Sequence, residues 1–155
     1  MAEYETSLVV QAPLEEVYNQ WTQFEECPRF MEGVKEVRQL DDKTLLWRVR
    51  IGGSVKEWEA DIVDQTPNRR IAWRSRAGAG NAGAVLFAPH ADGTQVTLKL
   101  VYEPEGATET LGDALGFVKR RVEEDLRSFK DFIEERQSAT GAWRGEIHGS
   151  QVRKG

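Results

Sequence analysis

The sequence predicts an α+β fold: a curved, antiparallel seven-stranded sheet wrapped around a long C-terminal helix, with two short helices after the first strand. Three observations predict it. From Val34 to Pro104 apolar residues recur at every second position in six runs, which is the period of a strand. The connections between those runs are too short for crossovers, so successive strands must pair as hairpins. From Leu111 the period becomes helical: Leu111, Leu115, Val118, Val122, Leu126, Phe129 and Ile133 step by 4, 3, 4, 4, 3 and 4.

The first strand is read at 4–12 and a helix after it. Pro13 suits a first helical position, where a missing N–H costs nothing, and Glu15 and Glu16 favour the positive end of the helix dipole. Leu14, Val17, Tyr18 and Trp21 give that helix one apolar face. Pro28 interrupts, and FEECPRFM reads as a second, very short helix. Strands follow near 34–41, 43–51, 54–65, 69–77, 82–91 and 94–104. Asp41-Asp42, Gly52-Gly53, Pro67-Asn68, the glycine-rich 78–83 stretch and Asp92-Gly93 supply the turns. The last helix is expected over 110–137, with Arg120–Glu124, Arg121–Asp125 and Arg127–Asp131 pairing on its wet face. Residues 138–155 are rich in Gly and Ser and lose periodicity. They are expected to form a flexible tail beyond a 1–137 domain, with Trp143 and Ile147 able to dock a turn.

With 155 residues, the chain suits one domain with a real core. A net charge of −5 disfavours nucleic acid and anionic membranes, which need clustered Lys and Arg. The longest apolar stretch, AGAVLFA, is far below the ~20 residues a membrane helix needs, so no stable membrane insertion is expected. MAEYET lacks the apolar segment of a signal peptide. The one cysteine, Cys27, allows no internal disulfide and no cysteine-based metal cluster. These features predict a cytoplasmic protein, a monomer or homodimer, with no metal and no cofactor.

GAGNAG at 78–83 spells the dinucleotide-binding G-x-G-x-x-G. That turn works only where a helix opens after it and presents its N–H groups to a pyrophosphate. Here AVLFAP follows, an alternating strand, so the stretch reads as a hairpin loop able to flap over a cavity mouth.

Alternation also assigns faces. Leu45, Trp47, Val49 and Ile51 share a face, as do Trp58, Ala60 and Ile62, then Ile71, Trp73 and Ser75, then Val85 and Phe87, then Val96, Leu98, Leu100 and Tyr102. This face should meet the long helix. The opposite face carries Arg48 and Arg50, then Glu57, Glu59 and Asp61, then Arg74 and Arg76. Cross-strand ion pairs account for that alternation; the other reading is an anion site. A curved sheet gripping one helix need not fill its concave side. Trp47, Trp58, Trp73, Phe87 and Tyr102 are therefore candidate walls for a flat apolar ligand, with Trp21, Leu115 and Val118 facing them from the helices.

The order of elements resembles the START/Bet v 1-like (SRPBCC) superfamily with its helix-grip fold. SLVVQAPLEEVYNQW is similar to that superfamily's opening strand and helix. FEECPRFMEGVKEV resembles the corresponding stretch of bacterial polyketide cyclase/dehydrase-like proteins, and VKRRVEEDLRSFKDFIEER their final helix. The resemblance implies binding of lipids, quinones, hormones or aromatic polyketides, and in some members cyclisation and dehydration of a polyketide chain.

Such chemistry needs a positioned acid and base. Tyr102 and Tyr18 are the candidate catalytic residues, with Ser75 and Asn81 as further polar groups. His90 and His148 have no metal partner at ligand spacing, and Cys27 has no histidine near it in sequence. The expected function is binding of a hydrophobic small molecule between sheet and helix. The alternatives are a polyketide cyclase/dehydratase using a pocket tyrosine and a protein-interaction or stress-associated module without a ligand.

Overall fold

The computed structural model describes residues 2–51, 53–76, 81–102 and 111–154. The elements run β1 (Ala2–Val10), α1 (Leu14–Trp21), a short 3-10 helix (Phe24–Arg29), β2 (Val34–Gln39), β3 (Thr44–Ile51), β4 (Ser54–Thr66), β5 (Arg70–Ser75), β6 (Asn81–His90), β7 (Gly93–Tyr102), α2 (Leu111–Arg136), β8 (Glu146–His148) and β9 (Gln151–Arg153). The sheet order is β1-β7-β6-β5-β4-β3-β2, antiparallel throughout, with β8 added to β4 and β9 to β8.

The sheet is bent where its ladders slip. Register shifts occur between Val34 and Glu36 in the β2–β3 pair and between Ile62 and Asp64 in the β4–β5 pair. An extra residue on one strand of a pair bends that strand and increases its twist. Helix α2 packs against the resulting concave side: Leu126, Phe129 and Ile133 are buried with Val10, Val17, Ile71, Val85 and Val96 in one apolar cluster. Along β1, Tyr4 shares the face of Leu100 and its hydroxyl reaches Glu123 on α2, 2.6 Å away. The concave face therefore meets the long helix, as alternation predicts. The charged columns lie on the other side. Arg76 pairs with Asp61 at 2.9 Å and Glu59 at 3.8 Å, while Arg48 pairs with Glu36 of β2 at 3.3 Å rather than with Glu57. All of these side chains are at least a quarter exposed, so the ion-pair ladder suffices.

Several expectations are corrected. Helix α1 begins at Leu14, and Pro13 with its extended backbone (φ −60°, ψ 142°) is the residue just before it. The very short helix expected at FEECPRFM is present as a 3-10 helix and ends at Arg29, two residues earlier. Residues 81–83 belong to strand β6, so the glycine-rich connection is shorter than 78–83, and residues 77–80 lie outside the described residues. On α2 the ion pairs among the described residues are Arg121–Glu124, Arg121–Glu32 and Lys130–Glu134, not the three expected pairs.

The largest correction concerns the tail. Residues 138–155 were expected to be flexible, yet they hold β8 and β9 and raise the strand count from seven to nine among the described residues. The cause is tertiary pairing that composition does not reveal. Gln20 and Thr140 bond reciprocally, Gln20 Nε2 to Thr140 Oγ1 at 3.2 Å and Thr140 N to Gln20 Oε1 at 2.8 Å. Ala139 N donates to Glu16 and Trp143 N to Thr22 Oγ1. Arg144 donates to Asn19 Oδ1 and Asn68 Oδ1. Asn68 sits at φ 65° in the β4–β5 turn, a left-handed conformation that Asn tolerates. Ile147 is fully buried. Residues 139–147 thus form a strap over α1.

Candidate functional site

The concave face carries the three predicted tryptophans. Trp47 stands directly opposite Trp58 in the β3–β4 pair, and Trp73 stands opposite Ile62 in the β4–β5 pair. Their same-face neighbours Leu45, Ala60 and Ile62 are at most 2 % exposed, whereas all three indoles remain half-buried. Trp47 and Trp73 pack against the edge of the core cluster. Gly83 explains the position of Trp73. A Cβ on Gly83 would stand 2.6 Å from Trp73 Cζ2 and 2.7 Å from the Lys99 carbonyl oxygen. The last glycine of GAGNAG therefore gives the indole room; it does not begin a nucleotide-binding helix.

Trp21 and Phe87 have a different setting. Phe87 lies four residues further along β6 than Gly83, toward α1, and is buried. Tyr18 meets it edge-on at 5.3 Å between ring centroids and Trp21 at 6.2 Å. Trp21 also stacks edge-on with Phe129 at 4.7 Å, and Phe30 joins Phe129 and Phe132 at 5.3 and 5.2 Å. Rings at these separations, edge-to-face except for the tilted Phe30–Phe132 pair, are a close-packed aromatic core. The Tyr18 hydroxyl accepts a hydrogen bond from Gln65 Nε2 at 3.1 Å, and the Arg144 guanidinium lies over the Tyr18 ring. Burial raises the Tyr18 phenol above its ordinary value, with the Gln65 bond and Arg144 opposing. The predicted residues thus fall into two groups, Trp21, Phe87 and Tyr18 in the sealed α1 end and Trp47, Trp58 and Trp73 on the concave wall. The side chains of Tyr102, Asn81, Leu115 and Val118 lie outside the described residues.

Sequence reasoning missed one group. Asp125 was placed on the wet face of α2, but it is half-buried beside Cys27 and the Glu32 backbone N–H. Burial pushes its carboxyl up to about 7, opposed by Arg121 and reinforced by Glu124 and Glu32. Arg121 Nη1 is itself buried without a hydrogen-bond partner, 3.8 Å from Glu32 and 3.7 Å from Glu124. The available signal was helical: Asp125 is three residues after Val122 and four before Phe129, both of which face the core. Cys27 is buried and its thiol is pushed up to about 12, which keeps it protonated and a poor nucleophile. Among the described residues no group of His, Cys, Asp and Glu is arranged to hold a metal ion, and no helix is long and apolar enough to cross a membrane. A concavity of about 480 Å³ on the C-terminal hairpin is lined by Glu146, His148, Gln151, Val152 and Arg153; it is open and polar, unlike an apolar ligand pocket.

Comparison with known proteins bears on what this arrangement does. Residues 10–131 match the family model described as polyketide cyclase / dehydrase and lipid transport. A Streptomyces lincolnensis relative, an uncharacterized 17.2 kDa protein, is 44% identical over 151 residues, covering 95% of this chain and 99% of its own. A solved structure from Deinococcus radiodurans is 29% identical with a TM-score of 0.69, over 87% of this chain and 98% of that one. The Zhui aromatase/cyclase from a Streptomyces species is 20% identical with a TM-score of 0.75, over 91% and 98%. At that identity the last likeness speaks for the fold.

Proposed function

The chain belongs to the polyketide cyclase / dehydrase and lipid transport family, and from that premise we propose that it binds an apolar, aromatic or lipid-like small molecule between the concave sheet and α2. One observation carries the reading: Trp47, Trp58 and Trp73 stay half-buried beside Leu45, Ala60 and Ile62, which share their face and are fully packed. Indoles on the concave side present large flat contact area and few polar demands, which suits an apolar ring system or acyl chain. Among the described residues Trp58 is not one of those packed on the apolar core cluster, and part of its indole is exposed. The test is fluorescence of 1-anilinonaphthalene-8-sulfonate with the purified protein, followed by displacement with decanoate and with a flavonoid. Binding, displacement and a roughly three- to tenfold weakening in Trp58→Ala are expected, the size of one lost aromatic contact. Absence of dye binding, or equal affinity in Trp58→Ala, Trp47→Ala and Trp73→Ala, overturns the proposal. The likeness to an aromatase/cyclase favours a second reading, a cyclase/dehydratase with Tyr102 as acid. It requires turnover of a poly-β-ketone mimic that is lost in Tyr102→Phe.

A further inference from the structure

His148 is the last residue of β8, and both of its ring nitrogens meet carboxylates. Nδ1 lies 3.0 Å from Asp64 Oδ1 on β4, and Nε2 lies 3.2 Å from Glu146 Oε1 on its own strand. An ionised carboxylate only accepts hydrogen bonds. A neutral imidazole has one N–H and satisfies one of the two carboxylates; the imidazolium has two and satisfies both. We propose that His148 is a protonation-controlled clamp: as the imidazolium it ties the C-terminal hairpin to β4, and on losing its proton it releases one of the two carboxylates.

The position gives the clamp something to act on. His148 stands opposite Asp64, and Ile147 opposite Gln65, in the short β4–β8 pairing that joins the C-terminal hairpin to the sheet. Gly149 N donates to the Val63 carbonyl at 2.9 Å, directly after the clamp. The charged groups around it are few. Asp64 is also approached by Arg70 Nε of β5 at 3.6 Å. Arg153 of β9 stands opposite Glu146 and Gln151 opposite His148. Lys43, from the β2–β3 turn, donates to the Gly149 carbonyl at 2.9 Å. Lys154 pairs with Asp42 at 3.4 Å, a second tie between the chain end and that turn. The two carboxylates on the ring outweigh these more distant cations, and the imidazolium is favoured, through Glu146 first and Asp64 second. The group therefore adds to hairpin docking at low pH, and that contribution is lost as pH rises through the elevated folded value. Ile147, the residue before it, is fully buried and holds the hairpin independently, so the clamp is expected to change how firmly the hairpin is held without unfolding it.

NMR of the full chain tests this. His148 Cε1–H is titrated from pH 5 to 9, with His148→Gln identifying its resonance against that of His90. Exchange of the Gly149 amide is followed over the same range and corrected for intrinsic rates. The expected result is a His148 midpoint above that of an ordinary histidine, lowered in both Asp64→Asn and Glu146→Gln. Gly149 protection should fall about two- to fivefold through that midpoint, as for one exposed ionic contact, and be flat in His148→Gln. An ordinary midpoint, protection that ignores the titration, or the same step in His148→Gln overturns the clamp.

Discussion

Tyr18 and Gln65, 47 residues apart, meet at the sealed end of the sheet, where the Tyr18 hydroxyl accepts from Gln65 Nε2 at 3.1 Å and both side chains are at most 1 % exposed. Burial of that kind makes the bond asymmetric in its consequences. Removing the hydroxyl leaves a buried amide donor unpaired, and the cost is its desolvation rather than the net value of the bond.

Tyr18→Phe is therefore expected to lose about 1–3 kcal/mol of stability in urea denaturation. The ring contacts with Phe87 and the cation over the ring survive the change, so the loss reports the hydroxyl alone. Adding Gln65→Leu, which removes the stranded donor, should recover part of it. A Tyr18→Phe protein as stable as the parent would mean that water reaches this hydroxyl. Loss of any turnover in this variant is informative only beside its stability.

Asp125 gives a prediction in pH. Its folded carboxyl titrates at about 7, well above an ordinary aspartate, because burial disfavours the charged form. Between the unfolded value near ~4 and the folded value, the native state holds a proton that the unfolded chain has released, so stability falls as pH rises through that window. Asp125→Asn removes this group's titration. The variant should gain on the parent by about 1–3 kcal/mol from pH 5 to pH 8, partial exposure limiting the size. Parallel stability–pH curves for the two proteins would sink the assignment.

The parts of the fold legible in the sequence are those in which one physical period repeats. The heptad-like spacing from Leu111 to Ile133 marks α2 because only one helical face meets the sheet, and Leu126, Phe129 and Ile133 are buried as it requires. Strict alternation likewise puts Trp47 and Trp58 on one face, and their register confirms it. Asp125 had a helical signal but was masked by its context: a carboxylate within a run of charges reads as solvated, and its neighbours Cys27 and Glu32 come from the 3-10 helix and the loop after it. Gly83 was legible as a glycine motif but not for its reason, since the contact it allows is with Trp73 on the next strand. Trp143 and Ile147 were legible as residues able to dock, but the strap and its two strands were not, for a similar reason. Gly, Ser and Thr lower the local apolar content, and the partners of Thr140, Trp143 and Arg144 lie on α1 and the β4–β5 turn.

The strap therefore supplies the most direct check on the architecture. Ile147 is fully buried in the same apolar cluster as Tyr18 and Ile62, and its backbone pairs with Gln65 of β4. Truncating it to alanine opens a cavity in that cluster, and such changes cost about 2–5 kcal/mol in packed cores. A residue in a flexible tail would cost less than about 0.5 kcal/mol, the range for exposed positions. Ile147→Ala is expected in the upper range by urea denaturation, with Val152→Ala, at a partly exposed position, well below it. A null effect at Ile147 would mean that residues 138–155 do not pack as β8 and β9 in solution. The exchange step sought at Gly149 would then have no hairpin to report on, so the Ile147 result should be obtained first.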